Sequence, residues 1–422
     1  YAHTALINTG ETGLEMLELA LQRTNTSAKF KERILRLIPE TGSRIASNVL
    51  FNHLSVKSKL RPIVVEGLIS LNFEADDKER LYLRKMIIEQ VGICVWNLNA
   101  FYHCPSNNLY PQLKDELEKE YHSSLRALFD LLKLVYDKNS IEKVIENLEA
   151  GTGQSISFAV ELIDTFLDEE LKPYIIPLLE DSSTGNKLWA LENYYPLRHY
   201  TSDELLKAIL SRDNNLIGKE AKIYALNGFE YNGANELNPD LVAQMFNTDK
   251  YLRQISAKII EGINLNEFLN CKRRLPDKLR VELDRLMDIS KSTESSVVDR
   301  ISFLKQVHPE NTDADSLLFI LYNSSMVVLN DVDVNEVDVF YGKRMLLFIE
   351  NGKILASNSR GESLEFTAGS ILNTSDYSVD SLRVVGKTLL HFIDLDKIYS
   401  SMYDNDYLVQ YMADIQNYSL NK

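Results

Sequence analysis

Apolar residues recur at helical spacing from about residue 11 to residue 310. "SISFAVELIDTFL" (155–167) places Ile156, Ala159, Val160, Ile163 and Leu167 on one face. "KYLRQISAKIIEGI" (250–263) does the same with Leu252, Ile255, Ile259 and Ile263, and "KLRPIVVEGLISL" (59–71) with Leu60, Ile63, Val64, Leu68 and Leu71. A stripe of that kind buries one face of an amphipathic helix. The punctuation fits helices of 10–15 residues. Pro62 suits a first turn, where a missing N–H costs nothing. Thr201 and Glu204 have the spacing of a capping box. "GTGQS" (151–155) has neither the lysine nor the spacing of a phosphate-binding loop, and reads as the end of one helix and the cap of the next. Segments 168–193, 202–229 and 238–264 each read as a helix pair. Such pairs bury their stripes only by stacking, which predicts a HEAT-like α-solenoid over 1–76 and 150–315.

Residues 77–149 break this pattern. Two longer helical stretches, joined by the breaker segment "PSNNLYP" (105–111), predict a long helical hairpin that braces the array or projects from it. Past residue 316 the period changes again. Val and Ile become dense and turns close up: "MLLFIE", Asn351-Gly352, "KILAS", then "SLEF", "SIL", "LRVV" and "TLLHFI". Asn-Gly between two apolar runs predicts a hairpin turn. "DVDVNEVD" (331–338), alternating acids with Val, reads as an exposed strand with an acidic face. Asp394 is placed to cap a helix that closes the chain. Residues 316–422 are therefore expected to form a separate α+β domain.

Composition narrows the function. The chain has 422 residues, a net charge of −15, 45% hydrophobic and 25% charged residues. That charge repels phosphate backbones, so nucleic acid is not an expected partner. The most apolar stretch, 86–101, is interrupted by Glu89, Gln90, Asn97 and Asn99, which argues against a membrane span in this chain. Cys94, Cys104 and Cys271 have no metal or disulfide spacing and suit a reducing compartment. His103-Cys104 with Cys94 does not converge on a helix. "LRHY" (197–200) reads as a loop before a helix start, and "CKRR" (271–274) as a solvated basic turn. No hydrolase or metalloprotease motif is present. Catalytic residues, metal ligands and cofactors are therefore all expected to be absent, and the chain is read as a non-enzyme.

The order strands, "ENGKI", hairpin, "EFTAGSIL", loop, "TLLHFIDLDKIYSSM" resembles the cyclic-nucleotide-binding domain over roughly the last hundred residues. Gly352, Gly369 and the Ile393-Asp394 step fall where that family has its glycines and its strand-to-helix step. The resemblance implies a β-roll. The cassette "GSILNTSDYS" departs from the family in lacking the Gly-Glu pair, and the family's phosphate-binding Arg falls near Ser378. Residues 311–422 carry 16 Asp/Glu against 8 Lys/Arg, which opposes a phosphate ligand. The roll is thus expected to be degenerate. Gly369, Ser370, Arg360 and Lys387 are the candidate ligand residues should it bind a nucleotide.

"AVELIDTFL" and "LKPYIIPLLE", within 157–191, resemble the HEAT-like region of membrane carriers of the bacterial ATP/ADP translocase and major-facilitator type. In those carriers, helical repeats and often a cyclic-nucleotide-binding-like domain follow the membrane bundle on the cytoplasmic side. The resemblance implies a non-catalytic cytoplasmic interaction module with a transmembrane carrier domain as partner in cis. A nucleotide sensor working through the roll is the alternative, and an enzyme with a site in the helical groove is a second.

Overall fold

The computed structural model describes residues 9–23, 28–41, 45–54, 60–106, 111–231, 237–293, 296–308, 312, 314–357, 363–376, 382–402 and 407–420. They fall into two compact units, Tyr1–Ala234 and Asn235–Lys422. The chain is mostly α-helical and ends in an α+β unit with an antiparallel sheet.

The first unit contains α1 (Glu11–Leu21), α2 (Ala28–Leu37), α3 (Ala46–Asn52), α4 (Arg61–Ser70), α5 (Asp77–His103), α6 (Pro111–Leu132), α7 (Lys138–Glu149), α8 (Gly153–Phe166), α9 (Lys172–Leu179), α10 (Thr184–Leu191), α11 (Ser202–Ser211) and α12 (Lys219–Tyr231). Consecutive helices pack as the stripes require: α5 on α6, α7 on α8, α11 on α12. The caps are local. The Asp76 carboxylate accepts the Lys78 and Glu79 amides while Glu79 reaches back to the Asp76 amide. Thr152 with Ser155 and Thr201 with Glu204 cap α8 and α11 in the same way.

Helix α5 is the spine of this unit and packs on α6, α9, α10 and α11. Of the polar residues that interrupt its apolar run, Glu89 is exposed, while Gln90, Asn97 and Asn99 are buried and tie it to its neighbours. Gln90 Nε2 donates to the Ser124 carbonyl at 2.8 Å, Asn97 Nδ2 to that of Glu120 at 3.1 Å, and Asn99 Nδ2 to that of Arg198 at 2.9 Å. Each buried amide thereby recovers a bond that burial removed. The second arm is shorter than its pattern predicts. α6 ends at Leu132, the chain turns, and Asp137 accepts the Ser140 amide to start α7.

The second unit contains α13 (Pro239–Gln244), α14 (Lys250–Ile263), α15 (Leu265–Arg274), α16 (Asp277–Thr293), α17 (Val297–Val307), α18 (Ala314–Asn323), β1 (Ser325–Asn330), β2 (Met345–Ser357), β3 (Ser363–Thr367), β4 (Ile371–Asn373), β5 (Leu382–Asp394), α19 (Leu395–Met402) and α20 (Tyr407–Leu420). The strands run antiparallel in the order β1-β5-β2-β3, with β4 also beside β2. Helices α13 to α17, which the sequence pattern assigns to the repeats, thus share a compact unit with the sheet. Leu286 and Ile289 of α16 join Met326 and Leu389 of the sheet in one apolar cluster. Asp394 Oδ1 accepts the Asp396 amide and opens α19, as its position predicts.

Three expectations are corrected here. Asn351-Gly352 makes no hairpin turn: β2 runs straight through it as a strand of 13 residues. The pairing with β5 shifts on both sides of Asn351, and Gly352 has φ +89°. Asn-Gly therefore serves a bulge, because β5 stays paired to β2 on both sides of it. Likewise, "LRVV" and "TLLHFI" form one strand that passes through Gly386 at φ +67°. Residues 331–338 are no strand either. They bend at Asp331 (φ +44°) into a short 3₁₀ turn, Val334–Glu336. The reason is apolar burial: Val332, Val334, Val337 and Val339 fold with Phe340 against the sheet's core, leaving no alternating exposed face.

Candidate functional site

Two of the roll's four candidate ligand residues, Gly369 and Ser370, have their backbone groups engaged in its own framework. The Gly369 amide donates to the Ile349 carbonyl at 2.8 Å, and the Ser370 amide to that of Thr367 at 3.0 Å. The Ser370 carbonyl accepts from Ile349 at 3.0 Å. Gly369 has φ +86°, as the turn between β3 and β4 demands. Neither amide points at a ligand. Lys387 is exposed on β5, opposite Asn330 of β1, so β5 and β2 separate it from the Gly369 turn. Arg360 and the Ser378 position lie outside the described residues. Just after β4, Asn373 Oδ1 accepts the Ser375 amide at 2.9 Å, and Thr374 Oγ1 accepts the Met345 amide at 2.7 Å. Arg383 pairs with Leu355 within the sheet and bridges Asp333 by its backbone.

The other motifs resolve locally. Burial pushes the Cys94 thiol up to about 12 and that of Cys104 up to about 11, so neither is a ready thiolate. "CKRR" is the last turn of α15, not a loop. Lys272 pairs with Asp284, and the Arg274 guanidinium lies 4.9 Å from the centre of the Phe246 ring. Cations at a helix C-terminus meet its partial negative charge. His103 and the "LRHY" segment, read separately from the sequence, are brought together: His103 Nε2 lies 3.4 Å from His199 Nδ1. Among the described residues no three His, Cys, Asp or Glu side chains are grouped to hold a metal.

Among the described residues of the first unit, a cavity of about 640 Å³ lies between α6, α7, α8, α9 and α10. Amphipathic periodicity explains its floor. Leu125 and Phe129 lie one helical turn apart on α6, Ile145 and Leu148 do so on α7, and Leu178 comes from α9. Phe129 and Leu178 belong to the buried core, so the floor is continuous with it. The rim carries both signs of charge. Burial raises the Asp130 carboxyl above its usual range, while Lys133, 3.7 Å away, opposes that shift. Lys187 donates to the Leu178 carbonyl at 3.0 Å, and burial lowers its ammonium below the ordinary range. An apolar floor with a few placed polar groups, in a volume of several hundred Å³, is the usual make-up of a binding pocket. Sequence reading missed this site because its lining comes from five helices, each with an ordinary stripe.

No protein-family model matches the chain, and no curated protein matches it. Among solved structures it is similar to the regulatory subunit of a cAMP-independent protein kinase A from Trypanosoma cruzi bound to guanosine. The identity is 18% over 25% of this chain and 46% of that one, with a TM-score of 0.18. The chain spans less than half of that structure's length. An overlap of that extent assigns neither a ligand nor an activity here. Among the described residues, no helix is long and apolar enough to cross a membrane.

Proposed function

We propose that the chain is a non-catalytic interaction module whose first unit holds an apolar segment of a protein partner in the cavity between α6 and α10. The observation that carries this reading is the cavity itself, with an apolar floor anchored in the core and charges of both signs at its rim. A compact anion would be better served by a rim of one sign. A peptide with apolar side chains and mixed charges matches what is there. The sheet unit serves as a packing and contact domain, because the amides of its β3–β4 turn are committed to the sheet.

The partner we favour is a transmembrane carrier domain in cis, of the ATP/ADP translocase or major-facilitator type, with this module on the cytoplasmic side. The order of parts supports it: helix pairs first, then an antiparallel roll with closing helices. The coding sequence upstream of Tyr1 tests the carrier reading. About a dozen apolar spans there are expected; an initiation codon immediately before Tyr1 would contradict it. The scaffold role of the roll is tested by thermal-shift titration with cyclic AMP, cyclic GMP, ATP and ADP. No saturable shift is expected, whereas a ligand at a hundred times its Kd would add about 2.7 kcal/mol.

A further inference from the structure

We propose that His103 and His199 form a two-imidazole site for a late first-row divalent cation such as Zn²⁺. His103 ends α5, and His199 lies in the segment that leads into α11. Their facing nitrogens, His103 Nε2 and His199 Nδ1, are 3.4 Å apart. That separation is long for an N–H···N hydrogen bond. It equals the edge of a tetrahedron around zinc, about 3.3–3.4 Å, for Zn–N distances of about 2.0–2.1 Å.

The surroundings orient both rings. His103 Nδ1 lies 3.0 Å from the Asn99 carbonyl, one turn back on α5. Donating its proton there leaves Nε2 as the basic nitrogen, the arrangement that metal-bound histidines use. The same residue sets the other ligand. The buried Asn99 side chain donates to the Arg198 carbonyl at 2.9 Å and so fixes the backbone next to His199. The two rings stand at 75° to each other. Tyr102 and Tyr200 meet the His103 ring edge-on, with centroids 5.2 and 6.1 Å away, and restrict its rotation. Imidazole suits zinc, copper and nickel over magnesium or calcium. Two coordination positions are left for water or an outside donor.

The test is calorimetric titration of the whole chain, stripped with EDTA, with zinc chloride, alongside the single variants His103→Gln, His199→Gln and His122→Gln. Both His103 and His199 reach solvent, so their variants are expected to fold as the parent does, which circular dichroism checks. The proposal expects one zinc per chain, with affinity lowered about tenfold or more in His103→Gln and in His199→Gln, and unchanged in His122→Gln. No binding by the parent up to millimolar zinc would overturn it. So would binding that survives both variants, or that falls equally in His122→Gln.

Discussion

The Glu120 carboxylate on α6 accepts the backbone amide of Gly218, 98 residues away, at 2.6 Å. This bond clasps α6 to the start of α12 in a half-buried site. Burial, with Glu116 and Glu220 nearby, raises the Glu120 carboxyl to about 7, although the Gly218 amide and Arg212 pull it down. Arg212 lies with its guanidinium 3.7 Å from the centre of the Trp96 ring, and burial lowers it to about 10.

The folded chain therefore holds the Glu120 proton more tightly than the unfolded chain does. Its contribution to stability is complete below the usual carboxylate range and is lost as the pH rises through about 7, a total of about 3 kcal/mol. Glu120→Gln keeps an acceptor for Gly218 and removes the titration. Thermal melts should show the variant more stable than the parent at pH 8 and level with it at pH 5. A variant equally destabilised at both values would show that the charge is what the clasp requires.

In the second unit His308 works with the opposite sign. It follows α17 and stacks between Phe348 of β2 and Tyr411 of α20, with ring centroids at 5.2 and 5.6 Å. Its Nδ1–H donates to the Leu304 carbonyl, and its Nε2 accepts the Tyr411 hydroxyl at 3.0 Å. Burial lowers this histidine to about 4. The unfolded chain takes up the proton near the ordinary histidine value, so stability is full above that value and falls as the pH drops toward about 4, by about 3 kcal/mol. Tyr411→Phe leaves Nε2 buried without its donor and should cost about 1–3 kcal/mol at pH 7 by urea denaturation. A loss too small to measure would place this contact outside the core.

Gly352 and Gly386 separate close approach from backbone strain. Both have positive φ. A Cβ at Gly352 would lie 2.3 Å from Thr388 Oγ1, 2.7 Å from Thr388 Cα and 2.8 Å from the Lys387 carbonyl oxygen. A Cβ at Gly386 would meet nothing within 4 Å. Gly386→Ala should therefore cost only the conformational term, about 1 kcal/mol. Gly352→Ala should cost clearly more, because β5 backbone must move. Equal losses in denaturant melts would contradict the bulge packing described for β2.

The local features of the fold were legible in the sequence. The capping boxes at Thr152 and Thr201 are spelled out within four residues, and the change from helical to strand period marks the sheet. What escaped depends on partners distant in the chain. Positive φ at Asn-Gly fits a hairpin turn or a bulge equally, and Thr388 on β5 decides between them. The valines of 331–338 are buried by a turn as well as by a strand, and the decision lies in the apolar cluster around Phe340. His103 and His199 stand 96 residues apart, each unremarkable in its own segment. The cavity belongs to no segment at all, since it arises where five helices leave space.

The binding role of that cavity is tested most directly with an apolar fluorescent anion, 8-anilinonaphthalene-1-sulfonate, titrated into the parent chain and into Leu125→Glu and Ile156→Glu. Both positions line the cavity and are only half-buried, so each new charge enters the site with modest disturbance of the core. The account predicts one saturable site in the parent, abolished in both variants, with their helical circular dichroism and melting unchanged. Saturable binding that persists in both variants, or none in the parent, would contradict the cavity as a preformed binding site.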